Sequence, residues 1–184
     1  KMGIRASDTC AVSLSDCRIP QANLLGERGK GLAIALSNLE GGRIGIGAQA
    51  LGIARAAFEA ALLYARERMQ FGKPIAKSQM IQSILVNMLG DVTAMQLYCI
   101  RLGRLIDDGK LEETMAALAK YYCSVKGRDV CRMARDVLGG NGITLDFHVM
   151  RHMCDMESLV TYEGTAEIQS LIVGRDITGL SAFV

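Results

Sequence analysis

Apolar residues recur along this chain at helical spacing. The cleanest run is Ile81, Leu85, Met88, Val92, Met95, Cys99, Leu102 and Ile106, spaced 4-3-4-3-4-3-4. Such a row makes one helix face continuously apolar, and Asp107-Asp108-Gly109 ends it. A longer pattern from about Gly31 to Arg68 precedes it, carried by Leu32, Leu36, Leu39, Arg43, Ile46, Ala50, Ala54, Ala57, Ala61 and Tyr64. A third runs from about Glu112 to Leu138 and stops at Gly139-Gly140-Asn141-Gly142. A short piece around Phe147–Met153 and a last helix from about Gly164 to Thr178 complete the series. Three long helices and a shorter fourth, joined by short turns, predict an all-α fold, an antiparallel up-and-down four-helix bundle.

The first 24 residues break the helical pattern. TCAVSLSDCRIP alternates at Cys10, Val12 and Leu14, and Ile19-Pro20 closes the run, which predicts a strand and a turn. A lone strand cannot bury a face. This short N-terminal β tail is therefore expected to belong to a sheet completed elsewhere, and a chain that begins at Lys1 fits a fragment or a processed protein.

Composition adds exclusions. The 184 residues suffice for one domain with a sizeable core. A net charge of +2, 5% aromatic residues and no Trp give no electrostatic footprint or stacking surface for nucleic acid. No uninterrupted apolar run reaches the length of a membrane span, so no span is expected. The six cysteines form no CxxC pair and lie mostly inside helical patterns, as reduced, packed thiols of a reducing compartment.

Taken singly, the motifs are weak. GIGAQA (45–50) matches a dinucleotide fingerprint, but no strand precedes it, and its small residues suit close helix packing. His148 and His152 have a spacing that can hold a metal, yet no further ligand pair accompanies them. Lys126, Arg128, Arg132 and Arg135 alternate with Asp129 and Asp136 as a solvated face would. Gly139–Gly142 reads either as a helix terminus or as bare backbone open to a pyrophosphate. Arg66 and Arg68 are helix-end cations favoured by the macrodipole. Glu163, between Tyr162 and Gly164 at the start of the last helix, is by position a turn residue, a cap or a base.

In combination they are specific. RMQFG (68–72), LGGNG (138–142) and YEGT (162–165), in that order and separated by helices, resemble the C-terminal helical domain of the acyl-CoA dehydrogenases. The likeness covers residues 25–184, and residues 1–24 resemble the end of that family's middle β-domain. The resemblance implies an FAD-dependent enzyme that dehydrogenates an acyl-CoA thioester to the trans-2-enoyl-CoA. Glu163 matches the base. Some branches place the base just before the arginine of the first long helix, a position held here by Gly42 before Arg43. Arg43, in the stretch from Glu40, matches a CoA-side contact, Tyr162 a wall of the site, and Gly164 a residue beside the thioester. Arg68, Gln70, Phe71, Gln79, Thr165 and Glu167 match FAD contacts. Asp136, Gly139 and Gly140 match a loop that reaches the FAD of a neighbouring subunit.

Further expectations follow from the same likeness. They are a homo-oligomer built as a dimer of dimers, an electron-transfer flavoprotein as acceptor, and a cytoplasmic or mitochondrial-matrix location. Residues 1–184 alone are expected to hold FAD weakly. The carboxylates at Asp136 and Glu167 and the tail GRDITGLSAF look like the glutaryl-CoA branch, whereas GRIGIGAQALGIA looks like the short-chain branch. An acyl-CoA oxidase, or a non-catalytic helical assembly module of the same fold, are the alternative functions.

Overall fold

The computed structural model describes residues 1–182, apart from the side chain of Glu40. Five helices carry the fold: α1 (Gly31–Glu67), α2 (Gln79–Asp107), α3 (Glu113–Leu138), α4 (Val149–Thr161) and α5 (Ala166–Thr178). The helix α3 is central and touches each of the others. Its buried residues include Ala116, Ala117, Cys123, Gly127, Val130, Cys131 and Ala134, mostly too small to hold neighbours away.

Against α3 lies an alanine face of α1. Ala50, Ala54, Ala57, Ala61 and Ala65 are all fully buried. Alanine favours the helix and lets two backbones approach closely. From α2, the row Leu85, Met88, Val92, Met95 and Leu102 is buried as its spacing predicts, with Ile81 and Cys99 half-buried. Ile106, last in the row, is 47% exposed. Leu32, Leu36 and Leu39, expected on the inner face of α1, are exposed as well. The reason is length: α1 has 37 residues and α3 has 26, so the first turns of α1 overhang the bundle.

The C-terminal region holds more helix than its sequence pattern indicated. Instead of a short piece around Phe147–Met153, α4 continues to Thr161, because no Gly or Pro interrupts residues 149–161. It packs on α3 with Met156 against Gly127. The segment 162–165 then turns the chain into α5.

In residues 1–30 the expected strand does not form; the segment contains one short 3-10 turn at Gln21–Asn23. Cys10, Val12 and Leu14 are exposed, as an alternating strand is when nothing pairs with it. The described sheet is a minimal hairpin of β1 (Met69–Gln70) and β2 (Lys73–Pro74) between α1 and α2. By length and composition α1 and α2 are each apolar enough to cross a bilayer, but here both turn buried rows toward α3.

Candidate functional site

The turn between α4 and α5 is one of two places among the described residues where a non-glycine residue and the glycine after it are both left-handed, the other being Phe71-Gly72. Glu163 and Gly164 are consecutive and both left-handed, at φ +57° and +80°. Such a conformation is ordinary for glycine and strained for glutamate. Thr165 caps α5, its Oγ1 accepting from Ile168 N at 3.4 Å. Gln169, fully buried on α5, donates from Nε2 to Glu163 O at 2.9 Å and to Gly164 O at 3.2 Å. The fully buried Lys120 of α3 donates to Gly164 O at 2.6 Å.

This turn aims the Glu163 carboxylate at α1. A Cβ added to Gly42 would stand 2.5 Å from Glu163 Oε2 and 2.9 Å from Cδ. Positions 42 and 163 therefore converge on one spot, and the glycine makes room for the glutamate. Glu163 Oε2 is buried and has no hydrogen-bond partner among the described residues. A buried carboxylate oxygen without a donor costs several kcal/mol elsewhere in proteins, so it marks a site built for something else.

Charges of both signs surround it. Arg43, next to Gly42, pairs with Glu113 of α3 at 2.8 Å, while its Nε is buried and unpartnered. Burial brings the Lys120 ammonium down to about 8, opposed by the attraction of Glu163 and Glu167 and reinforced by Arg43. Burial, and then the charge of Glu163, push the Tyr162 phenol up, and its hydroxyl donates to Gln49 Oε1 at 3.2 Å. Hydrogen bonds from its own backbone N–H and from Thr165 hold the Glu167 carboxyl below its usual range.

A second group of expected site residues gathers at the far end of α1. Arg68, Gln70, Gly139 and Gly140 line one cavity of about 340 Å³ with Tyr64 and Asn141. Asn141 Nδ2 donates to Tyr64 Oη at 3.0 Å, and Tyr64 meets Phe147 edge-on, which anchors the glycine turn to α1. Nothing stands within 4 Å of a Cβ added at Gly139 or Gly140, so that backbone is open to approach. Beside it, Gln70, Phe71 and Gln79 border a larger cleft. Phe71 is 97% exposed at the hairpin tip, held there with φ +51°. Asp136 faces another way: it pairs with Arg135 and borders a cleft with Asn87, Asp91 and Lys126.

Glu163, Gly164, Thr165, Tyr162 and Arg43 thus meet at one end, and Arg68, Gln70, Phe71, Gln79, Gly139 and Gly140 at the other. The profile of the acyl-CoA dehydrogenase C-terminal domain matches residues 29–178. The chain belongs to the acyl-CoA dehydrogenase family. It is 40% identical over 177 residues to the acryloyl-CoA reductase (NADH) of Anaerotignum propionicum, covering 96% of this chain and 45% of that one. It is 41% identical over 173 residues to the mitochondrial short-chain specific acyl-CoA dehydrogenase of Homo sapiens, covering 94% and 42%. Among solved structures, the glutaryl-CoA dehydrogenase of Mycobacterium smegmatis in complex with FADH2 superposes with a TM-score of 0.81 at 37% identity, over 84% of this chain and 40% of that one. The chain therefore spans less than half the length of the relatives it matches.

Three residues that hold this candidate site together were not singled out from sequence. Lys120 and Gln169 are polar residues on buried helix faces, and each stands three or four positions from apolar neighbours, which is a readable signal. Glu113 lies 70 residues from Arg43, and nothing local announces their pairing.

Proposed function

We propose that this chain is the helical C-terminal part of an FAD-dependent acyl-CoA dehydrogenase in which Glu163 removes the α-proton of the thioester. Residues 1–24 are taken as the end of the preceding β-domain. One observation carries the reading: a carboxylate oxygen is buried, unpartnered, and backed against the bare Cα of Gly42. A base needs an oxygen free of competing donors and fixed in direction. The left-handed turn, the Thr165 cap and the Lys120 and Gln169 hydrogen bonds to its carbonyls fix that direction.

The α-C–H bond breaks toward Glu163, its electron pair becomes the α,β double bond, and the β-hydrogen departs as hydride. FAD, when bound, supplies the hydride acceptor. Arg43 and Tyr162 are assigned to the substrate side, and Gly164, whose missing Cβ makes room for Gln169 Nε2, to the position beside the thioester. For the cofactor, Arg68 offers a bidentate cation to pyrophosphate oxygens, Gly139 and Gly140 offer open backbone, and Phe71 offers a fully exposed ring. Gln70, Gln79, Asp136, Thr165 and Glu167 complete the proposed contacts, Thr165 and Glu167 at a helix N-terminus that favours anionic oxygens.

Geometry also supports self-association. Gly42 on α1 and Arg68 at its C-cap are 26 residues apart, about 39 Å of helix, so the two groups of residues stand at opposite ends of α1. In this reading the cofactor contacts at the two ends of α1 come from two copies of the chain. The proposed redox partner is an electron-transfer flavoprotein.

The test is Glu163→Gln in the complete enzyme. FAD and acyl-CoA binding should stay near parental, while flavin bleaching by acyl-CoA in an anaerobic stopped flow slows by about 10²–10⁴-fold. Parental bleaching rates in this variant would reduce Glu163 to a turn residue.

A further inference from the structure

Lysine is among the residues least often fully buried unless paired, and Lys120 has no exposed surface. It stands on α3 between Ala116, Ala117, Cys123 and Ser124, all buried. Its ammonium reaches the turn at Glu163, donating to Gly164 O at 2.6 Å and more weakly to Val160 O at 3.4 Å. Gln169 holds the Glu163 and Gly164 carbonyls from the other side. Two buried side chains, from α3 and α5, thus tie down a turn whose central residues both adopt left-handed backbone.

The geometry points to Lys120 as the positioning residue of the base: its ammonium pins the Glu163–Gly164 turn and places a buried positive charge beside the Glu163 carboxylate. This rests on reading Glu163 as the base and assigns a task to a residue that the reaction itself does not consume. The charged groups facing Lys120 are Glu163 on the turn, Arg43 on α1 and Glu167 on α5, and α4 contributes the neutral Val160 carbonyl. Glu163 and Glu167 favour the ammonium, whereas burial and Arg43 oppose it.

Because burial brings Lys120 down to about 8, the charge is present at neutral pH and lost in mildly alkaline solution. The neutral amine retains N–H groups for the carbonyls, so deprotonation removes the charge before it removes the geometry. A folded-state value below the ordinary 10.5 means that the unfolded chain holds the proton more tightly. The parent therefore gains stability, relative to a variant without the amine, as pH rises from about 8 toward 10.5, and loses it as pH falls back through 8.

Two variants of the complete enzyme test this, Lys120→Met, which removes charge and donor, and Lys120→Gln, which keeps a donor only. The expected result is at least about tenfold slower flavin bleaching in Lys120→Met at neutral pH, with the parental alkaline limb near 8 missing from both variants. Denaturant melts should show the parent gaining on Lys120→Met between pH 8 and 10.5, with an earlier onset of that gain when Glu163→Gln is added to both. Parental rates and an unchanged alkaline limb in both variants would overturn the proposal, as would a stability gap that ignores pH. If neither variant folds, melts of the parent and of Glu163→Gln decide, because removing the Glu163 charge must start the alkaline gain at lower pH; no change in onset refutes the coupling. Failure of the base reading looks different, since Glu163→Gln would then bleach at the parental rate whatever Lys120 does.

Discussion

Replacing Gly42 by alanine separates stability from chemistry at this site. The added Cβ would lie 2.5 Å from Glu163 Oε2, 2.9 Å from Cδ and 3.1 Å from Oε1. Ordinary contact begins near 3.4 Å, so the carboxylate must retreat by about 1 Å. The retreat falls on the end of a flexible side chain, which makes it cheaper than moving backbone. Crowding of this kind costs about 1–3 kcal/mol, and replacing a mid-helix glycine by alanine returns about 1 kcal/mol. Net stability should therefore change by no more than about 2 kcal/mol. Catalysis has no such compensation: a misplacement of about 1 Å costs on the order of 10²-fold, equivalent to about 2.7 kcal/mol of barrier. Thermal melts of Gly42→Ala paired with anaerobic stopped-flow bleaching should show a nearly parental midpoint and a rate reduced about a hundredfold. A parental rate in a folded, flavin-loaded Gly42→Ala enzyme would mean that the position of the Glu163 carboxylate is irrelevant to the reaction. Global unfolding would mean instead that Glu163 is wedged as part of the core.

Three other outcomes follow from the fold. Val92→Asp should cost several kcal/mol in denaturant melts, because Val92 is 7% exposed in the α2 row and the carboxylate would enter the core unpaired. Sedimentation of the complete, FAD-loaded enzyme should show an oligomer, and a purely monomeric species with FAD bound would refute the two-copy site. Calorimetry on residues 1–184 alone should show FAD binding weaker than that of the complete enzyme by orders of magnitude, each tenfold being about 1.4 kcal/mol, and equally tight binding would contradict it.

The sequence made the interior of the bundle readable because burial repeats with the helix. Leu85 through Leu102 needed no knowledge of a partner to be placed inside. The ends were less readable, since an apolar period does not reveal where the neighbouring helix stops. That is why Leu32, Leu36, Leu39 and Ile106 lie outside the core that their spacing predicts they join. The N-terminal alternation failed for a related reason: a strand is defined by its partner, and none stands beside it among the described residues. At the site, Glu163 and Gly42 were identified from motif and position, but their contact joins residues 121 positions apart. Lys120 was passed over because lysine is ordinarily a surface residue; its place in an apolar row was the clue. Of the expected substrate-side stretch, the Glu40 side chain lies outside the described residues, as does Phe183 in the tail.

The alanine face of α1 makes the proposed reaction centre sensitive to distant change. Five methyl groups in file set the gap between α1 and α3, and none has a longer rotamer to fold away. A bulkier residue at Ala57 or Ala61 would have to lift the helix itself, and a rigid helix carries that tilt along its length to Gly42. Inherited or engineered variants several turns from Glu163 could thereby behave as active-site lesions, with flavin and fold intact and the proton simply out of reach.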